Sequence, residues 1–354
     1  MSSETLFFLA FAVFVLVVMS FDLGIFSKQT SHVVTFREAA TWSAIWVALS
    51  IAFYFFLKSY GYLVHGIFDM AQLEEVRNQY ASHVTLVPNN FNASLERFQN
   101  NMSLEYITGY LVEYSLSADN IFVFILIFNS FGVRERYYKK ILVWGILGAI
   151  ILRFFFIFIG SALIQRFEWI LYLFGAFLVY TGVQLFFQKD EDETIDPGNH
   201  PVVKFASKYL TIFPRNVSDN FFVRGKVNHK LYVTPLFLIV IVIAFTDLIF
   251  AVDSIPAIFS ITKDPYIVFF SNVFAIMGLR SMFFFLSSII EQFRFLKVGL
   301  AVLLTFIGAK MLAEPWLHDL GFKPVYSLYI IVAILGISVL ASWLIPEKTD
   351  TTSA

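Results

Sequence analysis

Apolar residues run through this chain in long unbroken stretches instead of alternating with polar ones. A helix that crosses a membrane needs about 20 largely apolar residues in succession. On that template the pattern predicts nine spans, at about residues 5–26, 38–57, 104–128, 139–161, 167–187, 235–260, 266–290, 295–313 and 325–345. Two polar stretches interrupt them: 58–103 after the second span, and 188–234 between the fifth and sixth, which opens on the acidic run Lys189–Asp196. Both are expected to be solvated loops with room for short helices, and Pro346–Ala354 is a short polar tail. The expected fold is an all-α polytopic membrane protein, with residues 1–354 forming a single membrane domain.

Composition supports lipid as the solvent for most of this surface. Of 354 residues 58% are hydrophobic and 14% charged, against roughly 25% charged in an ordinary soluble domain. Mean hydropathy is +0.73. A net charge of −1 gives no reason to expect nucleic acid as a partner. With no cysteine, the chain carries no thiol chemistry, disulfide or thiolate metal ligand of its own. The first apolar run lacks a positive n-region and a cleavage site and contains Asp22, so it is expected to be a span and not a signal peptide. The 44 phenylalanines read as lipid-facing bulk, and the sequons at Asn92 and Asn101 suggest no role.

Cytoplasmic loops are enriched in Lys and Arg. The loops after spans one, three, five and seven, with the tail, carry 16 of these residues, and the opposite side carries 6. Arg134, Arg136, Lys139 and Lys140 form the clearest cluster. The N-terminus is therefore expected outside and the C-terminus in the cytoplasm, with 58–103 an outer loop and 188–234 a cytoplasmic one.

The chain also repeats itself. Glu113-Tyr-Ser-Leu-Ser-Ala-Asp119-Asn120 in span three recurs as Asp247-Leu-Ile-Phe-Ala-Val-Asp253-Ser254 in span six. Arg153 in span four answers Arg280 in span seven, and Gly182-Val-Gln184 answers Gly308-Ala-Lys310; the offsets of the three correspondences, beginning with Glu113 and Asp247, are 134, 127 and 126 residues. Three helices is an odd number, so a second copy enters the membrane from the opposite side. The expectation is an inverted three-plus-three repeat, about 104–187 and 235–313, with a site at the interface of the two halves.

Ionisable groups at bilayer depth cost several kcal/mol, of order 2.5–3.5 on insertion scales, and so mark functional candidates. The candidates are Asp22, Glu113, Asp119, Asp247 and Asp253, with Asn120 and Ser254 as neutral oxygen donors. Six residues of helix set the two members of each pair about 120° and about 9 Å apart. Pro256 leaves the carbonyl of Val252 without its helical donor, either as a further ligand or as a kink that only aids packing. All six histidines fall in loops or at their edges, so zinc and copper lack their usual ligands. An all-oxygen set suits a hard ion such as Mn²⁺, Mg²⁺ or Ca²⁺, and a proton path would use the same carboxylates. Arg153 and Arg280 serve either as counter-charges to an empty site or as fixed salt bridges. Lys310, close to a helix end, is expected to snorkel.

The segments Leu116-Ser-Ala-Asp-Asn-Ile-Phe122 and Asp247-Leu-Ile-Phe-Ala-Val-Asp-Ser-Ile-Pro-Ala-Ile-Phe259 resemble the two signature motifs of the TerC family, and Asp22-Leu-Gly and Gly278-Leu-Arg280 fit the same pattern. The likeness runs across nearly the whole chain and is nearest the Alx-type branch. It implies an integral protein of the bacterial cytoplasmic membrane. Some members are regarded as manganese exporters, while others are associated with tellurite resistance or named redox modulators. The resemblance carries the acidic positions onto Asp22, Glu113, Asp119, Asp247 and Asp253. Export of Mn²⁺ as substrate, with no resident cofactor, is thus the leading expectation; the alternative is a membrane scaffold or assembly factor of a stress-resistance complex. The chain holds no nucleotide loop or nucleophile–histidine set that would suggest an enzyme.

Overall fold

The computed structural model describes residues 3–22, 35–167, 169–187, 220–224, 231–286, 295–313 and 324–344, together with positions 203, 204, 208, 316, 317 and 322. Its helices are α1 (Ser3–Asp22), α2 (Phe36–Tyr60), α3 (Tyr62–His65), α4 (Met70–Tyr80), α5 (Phe91–Ser130), α6 (Tyr138–Arg166), α7 (Trp169–Phe187), α8 (Pro235–Phe259), α9 (Pro265–Leu286), α10 (Leu296–Leu312) and α11 (Pro324–Leu344). Among the described residues seven are long and apolar enough to cross a membrane: α1, α2, α6, α7, α8, α9 and α11. The other two expected spans coincide with α5 and α10, which are not among those seven; the apolar run of α10, Val298–Leu312, is the shorter kind.

The stretch 58–103 contains the two short helices α3 and α4. Asp69 caps α4 by accepting from the Gln72 N–H at 2.8 Å, and Gly66 closes α3 in the left-handed region at φ 68°. Helix α5 then begins at Phe91, well before the expected start at 104. Its 40 residues make about 60 Å of helix, twice a hydrocarbon core of about 30 Å, so its polar first turns project from the apolar layer. The architecture is mostly helical, with one small addition. In 188–234 the described residues form a two-stranded antiparallel ribbon, β1 (Phe222–Arg224) and β2 (Leu231–Val233), with Val223 opposite Tyr232. Aromatic and β-branched residues favour such a pleat, and Phe222 anchors it on Phe237 of α8, ring centroids 4.7 Å apart.

Helix α9 is the centre of the molecule. Of its most apolar stretch 94% is buried inside the protein, against 17% for α1 and α2, which lie on the outside of the helix bundle. Small and polar residues along α9 (Ser271, Asn272, Gly278, Ser281) let other backbones approach, as is usual where lipid offers no hydrophobic contrast. The helices 5 to 7 and 8 to 10 hardly pack within their own threesome. They pack across: α5 on α9, α6 on α8, and α7 on α10. Glycine sets the closest crossing. A Cβ at Gly308 of α10 would stand 2.6 Å from the Gly175 carbonyl oxygen and 2.7 Å from the Val179 nitrogen of α7. One at Gly182 of α7 would stand 2.8 Å from the Ala301 oxygen and 2.7 Å from the Thr305 nitrogen of α10. Between α6 and α8, a Cβ at Gly145 would come within 2.6 Å of Ile243.

Candidate functional site

Four helices deliver one polar cluster to the interior. Arg153 of α6 lies between α5, α8 and α9 with 1% of its surface exposed. Its guanidinium grips Asp247 of α8 side-on, Nε donating to Oδ2 at 2.8 Å and Nη2 to Oδ1 at 3.2 Å. Its Nη1 donates to Glu113 Oε1 of α5 and, at 2.6 Å, to Asn272 Oδ1 of α9. Asn272 in turn donates from Nδ2 to the Val268 carbonyl at 2.8 Å, which aims its oxygen at the arginine. The Ser117 hydroxyl, one turn along α5, donates to Glu113 Oε1 at 3.3 Å. Glu113 and Asp247 are 0% and 2% exposed. A planar fork of fixed N–H groups suits such a carboxylate, and the pairing offsets the cost of burying each charge. Two carboxylates share one guanidinium here. The second oxygen of Glu113, Oε2, is buried with no hydrogen-bond partner among the described residues.

The repeat read from the sequence paired Glu113 with Asp247, and these two residues meet at a single arginine. Asn120 and Ser254 are buried in α5 and α8, and the Ser254 hydroxyl is without a partner among the described residues. Arg280 is buried in α9. The backbones of Asp22, Asp119 and Asp253 belong to α1, α5 and α8, but their side chains lie outside the described residues. Among the described residues no three His, Asp or Glu side chains converge as a metal-ligand group. Helix α8 runs through Pro256 to Phe259 without ending there. Lys310 sends its Nζ to the Ser260 carbonyl at 3.1 Å, donating to the backbone at the C-terminal end of α8.

A second cluster was not foreseen. His65, its side chain fully enclosed, bonds Asp264 through Nε2 at 2.8 Å and Glu4 through Nδ1 at 3.0 Å. Tyr80 stacks on its ring at 5.4 Å, and the Tyr266 hydroxyl donates to Glu4 Oε2 at 3.3 Å. Burial alone would push the imidazole down, but the flanking Asp264 and Glu4 carboxylates outweigh it and raise the pKa to about 9. An imidazolium thus ties α1, α3 and the α8–α9 turn together. Positions 4, 65 and 264 are too distant in sequence, and too near span edges, for any spacing to reveal this. Asn272 did give a signal, an amide in the middle of an apolar helix.

Comparison with known proteins places these residues in a family. The family model described as "Integral membrane protein TerC family" matches residues 98–350. A Salmonella typhi protein named "Putative membrane-bound redox modulator Alx" is 40% identical over 96% of this chain and 94% of its own length. An Escherichia coli K12 protein of the same name is 41% identical over 87% of this chain and 86% of its own. A Myxococcus xanthus membrane protein, STKORF319, is 37% identical over 97% of the chain and 94% of its own length. No solved structure matches the chain significantly.

Proposed function

Because the chain belongs to the TerC family of integral membrane proteins, we propose that it exports a hard divalent cation, Mn²⁺ first among them, through the acidic site around Arg153. The carrying observation is the sharing of one buried guanidinium by Glu113 and Asp247. In this reading Arg153 is a replaceable counter-charge. It neutralises the carboxylates while the site is empty and yields when a dication supplies the positive charge. Asp119, Asp253 and Asp22, with Asn120 and Ser254, complete the oxygen set as the two halves rock. All-oxygen ligation fits Mn²⁺, and Ca²⁺ or protons would use the same groups.

The inverted repeat behind this mechanism draws support from the α7–α10 crossing. At an offset of 126 residues Gly182 corresponds to Gly308, Ala301 to Gly175 and Thr305 to Val179. The approaches of Gly182 to Ala301 and Thr305 are then mirrored by those of Gly308 to Gly175 and Val179. Reciprocal approach of this kind is the mark of a two-fold relation. Both contacts also require α7 and α10 to run antiparallel, as inversion demands. The proposed setting is a bacterial cytoplasmic membrane, with nine spans, the N-terminus outside and the C-terminus in the cytoplasm.

Expression in a manganese-sensitive bacterial host tests the reading. Wild type lowers cellular manganese and restores growth, and Asp119→Asn and Asp247→Asn do neither. Equal protection by wild type and both variants would remove the acidic site from the transport path. A second reading, a scaffold in which Arg153 is a permanent lock, is favoured by the four hydrogen bonds that the arginine makes. Metal flux by the purified protein alone would rule it out. The relatives' redox names do not extend to thiol chemistry on this chain, which has no cysteine.

A further inference from the structure

One buried carboxylate takes no part in the Arg153 cluster. Glu105 of α5 lies eight residues before Glu113, about 12 Å away along the helix axis, and is 3% exposed. Asn101, one turn earlier, donates from Nδ2 to Glu105 Oε1 at 2.7 Å. The Thr262 hydroxyl of the α8–α9 turn bonds the same carboxylate. Lys310 of α10 brings its charge close and donates to the Ser260 carbonyl of that turn at 3.1 Å. His83, in the loop between α4 and α5, sets its Nε2 3.5 Å from Glu105 Oε1. His83, Thr262 and Lys310 also line a cavity of about 300 Å³, on the outer side in the proposed topology, with Glu105 buried behind them.

The hydrogen bonds fix which way each donor points. Because the Asn101 amide nitrogen donates to Glu105, its Oδ1 is the acceptor for His83 Nε2, 3.2 Å away. His83 Nε2 therefore carries a hydrogen, and in the neutral ring Nδ1 is the basic nitrogen. Thr262 Oγ1 accepts from the Asp264 N–H at 3.2 Å, which leaves its own hydrogen for Glu105. The imidazole is 40% exposed and the carboxylate 3%. The side chain best suited to passing protons at neutral pH thus bridges water and a buried acid.

We propose that Glu105 is a proton-binding site loaded from the outer solution through His83. A proton from water binds Nδ1, and the Nε2 hydrogen passes to Glu105 Oε1 once the exposed ring closes the 3.5 Å gap. The ring ends neutral with its hydrogen on Nδ1, and the carboxylate ends as the acid. The charged groups facing Glu105 are His83, Lys310 and Asp264, the last held by His65. Loading removes the charge that draws Lys310 and weakens the acceptor of Thr262. It thereby loosens the α8–α9 turn, which joins the helices carrying Asp247 and Asn272. The loading step needs no metal and stands apart from cation export.

The test uses the purified full chain in lipid nanodiscs without metal, so its outcome is independent of export. Infrared spectra recorded after a drop in pH report the carbonyl stretch of each carboxyl group that gains a proton. Wild type shows a band that Glu105→Gln abolishes and Glu105→Asp shifts. His83→Gln keeps the band but slows its appearance by about a hundredfold, the low end of what a positioned proton carrier contributes. Added imidazole restores the rate, which a purely structural histidine would not allow. His83 is exposed, so its substitution leaves the fold intact, and melting midpoints check all three variants. If the Glu105 variants do not fold, the rate in His83→Gln and its rescue still decide. Bands unchanged by both Glu105 variants, loading at the wild-type rate in His83→Gln, or a slowed rate that imidazole does not restore overturns the site.

Discussion

Arg153 holds Asp247 by two parallel hydrogen bonds, at 2.8 and 3.2 Å, while the same guanidinium reaches across to Glu113. The arginine is the one cation among described residues that bonds both acids, so each substitution in the cluster has a different sign. Arg153→Met leaves two buried carboxylates facing each other and should cost about 3–5 kcal/mol, the penalty for breaking a buried pair. Adding Glu113→Gln and Asp247→Asn to Arg153→Met removes the orphaned charges and should recover most of that loss. Thermal melts of the purified variants in detergent check both; a triple variant no more stable than Arg153→Met would show that the charges are not the cause.

His65 makes stability depend on pH. Its pKa is raised from 6.5 to about 9 in the folded protein. The folded state therefore binds the proton more tightly than the unfolded one. The resulting stabilisation is complete below about pH 6.5 and is lost as pH rises through about 9. The groups facing the ring are Glu4 on α1, Asp264 and Tyr266 at the start of α9, and Tyr80 on α4. The expected loss is on the order of 3 kcal/mol. Melting midpoints measured from pH 6 to 10 should fall across this window in wild type, and His65→Gln should flatten the fall.

Glycine at the α7–α10 crossing is required by space. Gly308→Ala places a methyl 2.6 Å from the Gly175 oxygen, and overpacking of this kind costs about 1–3 kcal/mol. Gly336→Ala of α11 meets nothing within 4 Å and should be neutral or slightly stabilising, since Ala favours helix by about 1 kcal/mol over Gly. Paired melts decide between them. Equal midpoints for the two variants would mean that the crossing is looser than its geometry.

How much of this could be read in advance follows from what makes a residue conspicuous. Charge inside an apolar run is rare, so Glu113, Asp247 and Arg153 stood out, and so did the pairing of the first two. What the pattern did not carry was partnership across space. Nothing in the spacing says that one arginine serves both halves or that Asn272 joins it. Nor does hydropathy separate the buried α9 from the lipid-facing α1, because lipid and protein interior are equally apolar solvents. The ribbon at 222–233 and the early start of α5 were hidden for a different reason: both lie where polar sequence folds by local packing and carry no span signal. His65, Glu4 and Asp264 are each ordinary residues at span edges, and only the fold makes them a unit.

Orientation has a direct check, since the chain has no cysteine and any introduced thiol is unique. Glu75 and Arg134 are both exposed. A membrane-impermeant maleimide should label Glu75→Cys in intact cells, and Arg134→Cys only after the membrane is opened. The reverse pattern would invert the proposed topology.

Reconstituted flux tests most directly whether the carboxylates held by Arg153 form the path of a hard dication. Purified protein in liposomes loaded with a Mn²⁺-quenched dye should admit external Mn²⁺ without any partner protein. Glu113→Gln and Asp247→Asn, confirmed as folded by their elution and helical circular dichroism, should each lower the initial rate by at least tenfold. No flux by wild type, or flux at wild-type rates in both folded variants, would contradict the account.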